Sequence, residues 1–487
     1  MAVMRWLLLL TAVACGGGGS TGTPDAGLAA TFPAGFHWGA ASAPYQVEGG
    51  LHGTDWYAFE SSCGPCSHEH ADDGPDFWNR WQTDLDLARD GKHNSIRLGL
   101  DWSRVFPDGM DQPADAAAVQ RYHDILRGAR DRGLRPLVTL HHFATPTWLP
   151  GAWLHAQAAT SFEAWARWAA QEYGGEVDWW VTLNEPIVYV TFGYLLGSWP
   201  PGHVADLASA LAVVDALLDG HARAYDAIHA ADTVDADGDG RAAWVSIASH
   251  QRVYRGKVPG DANDTRAAAI LQSLGNRLFF DALVFGKRDT NYDLDFDDPG
   301  ERDFTHLANR LDYLGINYYG IALVESFAPG TPPPLVGTLL LADLGAYGFV
   351  SPVTDMGWAI YPEGFGPVLE ELRQYGLPVV ITENGIADAD DNQRPRFLID
   401  HLKAVADAIE SGIDIRGYYH WALTDNFEWA AGFCPKFGLI AYDSARVRKA
   451  RASADVYRRI IEANGIPADL FDHDPGYPEP GLSCPRF

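Results

Sequence analysis

Along this chain, short runs that are apolar almost throughout alternate with longer stretches whose apolar residues recur at helical spacing. The pattern begins near residue 32 and repeats eight times. The apolar runs fall at 36–42, 95–102, 135–142, 178–186, 242–250, 311–319, 377–385 and 415–423. Segments of helical period lie at 78–90, 116–132, 161–173, 205–230, 265–287, 362–375, 395–411 and 450–463. Strands that are apolar on both faces must be covered on both faces, as in a parallel sheet clad by helices. Strict β and α alternation predicts such a sheet, and eight units close it into a barrel. The rival, a doubly wound open sheet, carries a Gly-rich phosphate loop at its switch point. No such loop follows any of these runs. The predicted class is α/β, a single (β/α)8 TIM barrel.

In that fold the C-terminal ends of the strands carry the active site. The first strand runs on to Tyr45 and Gln46, the second holds Arg97 and Trp102, and the third ends in His141 and His142. The fourth ends in Asn184 and Glu185, the sixth in Asn317 and Tyr319, the seventh holds Glu383, and the eighth ends near Trp421. Polar and aromatic groups gathered at one end of an apolar barrel are poor core filler. Taken singly, Glu185 and Glu383 read equally well as helix caps. On one closed sheet they supply the acid and the carboxylate that glycosidic-bond cleavage needs. Adjacent strand residues point to opposite faces, so one of His141 and His142 faces the site while the other is packed away, which argues against a metal pair.

Charge narrows the partners. Sixty-four acidic side chains against 36 basic ones leave a net charge of −28, which repels nucleic acid and anionic membranes. The 17 Trp suit sugar-ring faces, though a large core also absorbs them. At the amino terminus Arg5 precedes an apolar run from Trp6 to Ala14, too short to span a bilayer and suited to a secretory signal. Cys15 then precedes a Gly/Ser-rich stretch, which resembles a bacterial lipoprotein signal with Cys15 as the lipidated residue, although Ala12 stands where Leu is usual. The expected layout is signal peptide 1–14, tether 15–31, barrel domain 32–465 and C-terminal tail 466–487. The expected location is the bacterial cell envelope or the exterior, with membrane contact only through a lipid on Cys15. Cys63, Cys66, Cys434 and Cys484 suit structural disulfides in an exported protein, with the pairing open. Asp235, Asp237, Asp239 and Gly240 carry the spacing of a calcium loop, but Ser246 occupies the twelfth position. The tract reads as a solvated acidic turn at the barrel's other end, with calcium as the alternative.

The motifs in order resemble family 1 of the glycoside hydrolases, the β-glucosidase family. They are Phe36-His-Trp-Gly-Ala-Ala-Ser-Ala-Pro-Tyr-Gln-Val-Glu-Gly49, Ile96-Arg-Leu-Gly-Leu-Asp-Trp-Ser-Arg-Val-Phe-Pro107, Val138-Thr-Leu-His-His-Phe143, Thr182-Leu-Asn-Glu-Pro186, Leu314-Gly-Ile-Asn-Tyr-Tyr319, Met356-Gly-Trp-Ala-Ile-Tyr-Pro-Glu-Gly364, Ile381-Thr-Glu-Asn-Gly385 and His420-Trp-Ala-Leu-Thr-Asp-Asn-Phe-Glu-Trp429. The resemblance implies a retaining, exo-acting β-glycosidase, with Glu185 as acid/base and Glu383 as nucleophile. It places Asn184 at the sugar 2-hydroxyl and Arg97 and Tyr319 on the nucleophile, Arg97 keeping Glu383 ionised. Gln46, His142, Trp421, Glu428 and Trp429 become the glycone pocket, Asn317 its support, and Trp358 the aglycone platform. It implies no metal or organic cofactor, and β-glucosides or short oligosaccharides as substrates. Phe143 and Ala144 replace the family's usual Trp-Asp, which removes an indole donor beside the sugar. Glu428, which phosphosugar members replace, favours a neutral glycone. The alternatives are a catalytically silent sugar-binding protein on the same fold, and an enzyme that mainly transfers the sugar to acceptors other than water.

Overall fold

In chain order the strands are β1 (Leu28–Thr31), β2 (His37–Ala41), β3 (Ser95–Gly99), β4 (Arg135–His141), β5 (Trp179–Asn184), β6 (Trp244–Gly256), β7 (Leu314–Val324), β8 (Val379–Gly385), β9 (Ile415–Trp421), β10 (Ile440–Tyr442), β11 (Arg448–Ala450) and β12 (Gly465–Pro467). The computed structural model describes residues 27–62, 69–290, 293–325, 352–471 and 476–484. In it β2 through β9 form a closed parallel barrel in sequence order, sealed where β2 bonds to β9. Every predicted strand is present. Those in β2, β3, β5 and β8 are buried along their whole length, one face filling the barrel and the other lying under helices.

The helical segments form where periodicity and caps agree. Asp115, Asp206 and Asp261 each accept backbone N–H groups at the start of the helices Ala116–Asp131, Leu207–Ala231 and Ala262–Gln272. The predicted helix over 265–287 is not continuous. It is interrupted by wide turns at Ser273–Arg277 and Asp281–Phe285. At Gly275 the backbone lies so close to Tyr254 that a Cβ would sit 2.5 Å from its hydroxyl, a long-range approach that helical periodicity does not encode. β6 and β7 also run past their predicted ends, because they pair from Val253 with Ile321 to Gly256 with Val324 beyond the barrel rim.

At the N-terminal mouth the acidic tract is folded on itself. Asp178 accepts the N–H groups of Ala236 and Asp237, Asp235 accepts those of Gly238, Asp239 and Gly240, and Asp237 pairs with Arg135 at 2.8 Å. These carboxylates shape a turn, and oxygens of Asp178, Asp235 and Asp237 come within 4.8 Å of one another there, a spacing that also suits a cation.

Both ends of the described chain are tied to the barrel domain. β1 pairs antiparallel with β12. A disulfide joins Cys434, beyond β9, to Cys484. Beside it Asp355 accepts the N–H groups of Leu482 and Ala389, and its carbonyl accepts that of Cys484. The proposed lipidation residue Cys15 and the pair Cys63 and Cys66 lie outside the described residues. The bridge closes a loop with a sequence separation of 50, so Cys484→Ser is expected to cost roughly 2–4 kcal/mol of stability. Urea unfolding of the oxidised protein measures this; equal midpoints for variant and parent would refute it.

Candidate active site

Arg97 on β3 lies inside the barrel with no solvent exposure, and its guanidinium sets the polarity of everything around it. It donates to Glu383 Oε1 at 2.5 Å, to Asn184 Oδ1 at 2.7 Å and to Thr139 Oγ1 at 3.1 Å. A guanidinium has donors only, so the oxygen of Asn184 must face it and the amide nitrogen must face away. That Nδ2 meets His142 Nε2 at 3.1 Å. The neutral His142 ring therefore accepts at Nε2 and carries its hydrogen on Nδ1. Burial, and then Arg97, holds His142 well below its ordinary range, so the ring is neutral. Nδ1 is buried without a protein partner, a donor left for a ligand.

The same logic fixes the other side. Asn317 Nδ2 donates to Asn184 Oδ1 at 3.2 Å and to Glu185 Oε1 at 3.0 Å. Its own oxygen accepts the hydroxyl of Thr382 at 2.6 Å. Glu185 and Glu383 thus stand at the two ends of one chain of oriented donors that starts at Arg97. Their surroundings differ. Glu383 has a full cation and the hydroxyl of Tyr319 at 2.8 Å. Glu185 is met by the neutral amide of Asn317 and by His250 Nδ1 at 3.0 Å.

Burial pushes the Glu383 carboxyl up to about 7, against the pull of Arg97 and with a further push from Glu185. Arg97 favours the carboxylate, as the sequence implied, but desolvation is the larger effect. Glu428, also fully buried, is pushed up to about 8 by desolvation, opposed by the amide of Asn426 and reinforced by Glu383 and Glu185. It accepts from Gln46 Nε2 at 3.2 Å and from Asn426 Nδ2 at 2.8 Å. The Gln46 oxygen is buried without a protein partner. Around these groups the ring of Trp421 stacks near His142 at 5.7 Å, Trp429 lies between His142 and Tyr45 at 6.0 Å from each, and Trp358 meets Tyr319 edge-on at 5.7 Å. Three residues here hold left-handed backbone, Phe143 at φ 69°, Glu185 at φ 41° and Trp429 at φ 52°, a strain that the surrounding contacts must sustain.

All the site residues expected within the barrel are drawn together, and His141 is the packed member of its pair, bonded to Trp153 and Thr145 outside the barrel. Two partners were not foreseen. Asn426 lies within the eighth-strand motif, and His250 closes the fifth apolar run. That run alone was left without a named polar end, the signal that would have found it.

An acid and a carboxylate held apart in environment but on one network, in a pocket lined by indoles and amides, belong to a glycosidase. The comparisons agree. The sequence profile of glycosyl hydrolase family 1 matches residues 28–466, and the chain belongs to that family as a retaining β-glycosidase. It is 31% identical to a β-galactosidase of Pyrococcus woesei, across 89% of this chain and 98% of that one. It is 31% identical to a bifunctional β-D-glucosidase/β-D-fucosidase of Bifidobacterium breve, across 88% and 98%. The solved family 1 β-glucosidase of Thermotoga maritima superposes with a TM-score of 0.79 at 28% identity, across 90% and 99%.

Removing the central cation has a predictable cost. Arg97→Met leaves Glu383 buried and unpaired, so stability is expected to fall by roughly 3–5 kcal/mol where that carboxyl is ionised. Glu383 then rises further above its unfolded value. A raised carboxyl keeps its full contribution below the unfolded value of about 4.3 and loses it as pH climbs through the folded one. The deficit should therefore be larger at pH 8 than at pH 4.5 in denaturant titrations; a deficit independent of pH would count against this account.

Proposed function

We propose that the chain is an exo-acting β-glucosidase that also accepts β-galactosides and β-fucosides, with Glu383 as nucleophile and Glu185 as acid/base. The observation that carries the assignment is the asymmetry of the two carboxyls: a cation and a phenol hold Glu383 for attack, while the neutral amide of Asn317 holds Glu185 for proton transfer. Glu383 attacks the anomeric carbon as Glu185 protonates the departing oxygen, giving a covalent glycosyl-enzyme. Esterification removes the charge of Glu383, and Glu185 then takes a proton from water to release the sugar with its β-configuration kept. Asn184, fixed by Arg97, holds the 2-hydroxyl. The Gln46 oxygen, the His142 Nδ1–H and Glu428 take neighbouring hydroxyls, Trp421 and Trp429 cover the ring, and Trp358 carries the aglycone.

Three carboxyls, Glu185, Glu383 and Glu428, act on one another across this pocket. Such a pocket repels a phosphorylated sugar, which supports a neutral glycone. The names of the relatives support glucose, galactose and fucose configurations. Glu383→Ala is expected to lower the rate on nitrophenyl β-glucoside by at least about 10³-fold. Added azide should then give an α-glycosyl azide, attacking from the face the carboxylate left. Normal hydrolysis by this variant would sink the assignment. Rates over the β-glucoside, galactoside, fucoside, mannoside and 6-phosphoglucoside rank the glycones, with the last expected to be poorest.

We also propose that the protein is exported and lipidated at Cys15, with the Gly/Ser-rich stretch that follows it as the link to the barrel domain. The basic and apolar start of the chain supports this, as does the Cys434–Cys484 disulfide, a bond that persists in oxidising compartments. Mass spectrometry of the mature amino terminus should find a diacylglycerol-modified Cys15; an unmodified terminus beyond it would end the lipid part of the reading.

A further inference from the structure

The acid/base of a glycosidase must present its proton to the glycosidic oxygen, and the structure shows what decides which oxygen of Glu185 carries it. Oε1 is met by two nitrogens, Asn317 Nδ2 at 3.0 Å and His250 Nδ1 at 3.0 Å. The first is a donor, because its orientation is inherited from Arg97 through Asn184. Oε2 has no hydrogen-bond partner among the described residues, and the Glu185 side chain keeps 10% exposure. The tautomer of His250 therefore selects between two states. With hydrogen on Nδ1, Oε1 accepts twice and the acid's proton is confined to Oε2, on the open side. With Nδ1 bare, the proton of Glu185 is drawn to Oε1, between two nitrogens and away from any substrate.

His250 is built for one pose. It sits on β6 opposite Asn317 of β7, while two residues earlier the carbonyl of Ala248 accepts the N–H of Glu185 at 2.7 Å. Its ring lies stacked on Tyr319, 6.2 Å between centroids and 12° between planes. Tyr319 in turn donates to Glu383 Oε2. The two stacked rings thus serve one carboxyl each. Against Glu185 from other elements stand Glu383 of β8, Glu428 beyond β9 and Tyr319 of β7, each acting on it electrostatically, with Arg97 of β3 reaching it through Asn184.

We propose that His250 is a positioning residue for Glu185, its Nδ1–H confining the acid's proton to Oε2 and so aiming it at the leaving group. The proposal rests on the assignment of Glu185 as acid/base.

The test compares an alkyl β-glucoside, whose leaving group needs the proton, with 2,4-dinitrophenyl β-glucoside, whose leaving group does not. In His250→Phe, which keeps a ring on Tyr319 but no donor, kcat/KM for the alkyl glucoside is expected to fall about 10–100-fold. For the dinitrophenyl substrate it should change less than about 3-fold on the same reasoning. His250→Asn, whose amide nitrogen occupies the place of Nδ1, should restore the alkyl rate, and His250→Leu replaces the Phe variant should that fail to fold. A fall shared equally by both substrates, or an Asn variant no better than Phe, would each overturn the proposal. Glu185→Gln separates the two levels. If it still cleaves the alkyl glucoside normally, the acid/base assignment itself fails; if it loses that activity while the His250 variants behave as the parent does, only the role of His250 fails.

Discussion

A guanidinium with no solvent exposure in the middle of a barrel is costly unless every donor is answered, and that demand organises this site. Arg97 cannot accept a hydrogen bond or give up its charge. Each neighbour is therefore forced into one orientation: carboxylate oxygen, amide oxygen, hydroxyl oxygen. Those orientations are handed on, through Asn184 to His142 and through Asn317 to Glu185. The network has a single consistent polarity because one member of it is permanently positive.

The barrel makes this arrangement possible and also limits it. Parallel strands bring Arg97, Asn184, Asn317 and Glu383 to one rim from four separate stretches of sequence, each on rigid backbone. Packing them there removes water, and desolvation drives Glu383 and Glu428 upward despite the donors that favour their charged forms. Burial and the oriented donors thus oppose one another at both of these carboxyls. The left-handed backbone at Phe143, Glu185 and Trp429 belongs to the same compromise. Side chains are aimed by local conformations that the packed rim sustains.

The barrel and nearly all of this rim were legible in the sequence because both follow from periodicity: apolar runs mark the strands, and polar residues at their ends mark the site. What was not legible depends on contacts across the fold. The break in the helix after Gln272 comes from the approach of Tyr254 to Gly275, some twenty residues distant along the chain. The disulfide partner of Cys434 lies in the C-terminal segment and follows no local spacing. His250 lies within β6, in a stretch whose polar residues continue into Gln251 and Arg252, so the missing polar end of that run was the one local sign of it. Its meaning comes from Glu185 and Tyr319, supplied by β5 and β7 and the turn between. At Glu383 the ion pair with Arg97 could be inferred from the motif, whereas the depth of burial opposing it could not.

The two sides of the pocket are also held by different means, and this bears on how specificity can change. Asn184, Asn317 and Glu383 sit on strands, locked to Arg97 and to one another, so altering one disturbs the orientation of the rest. Trp358 sits on a loop whose neighbour Asp355 is held by the backbone of Leu482, Ala389 and Cys484. That loop is tied both to the segment after β8 and to the disulfide-bonded C-terminal residues. Substitutions around Asp355 and in residues 476–484 therefore act on the Trp358 side of the pocket, which the order imposed by Arg97 does not hold in place.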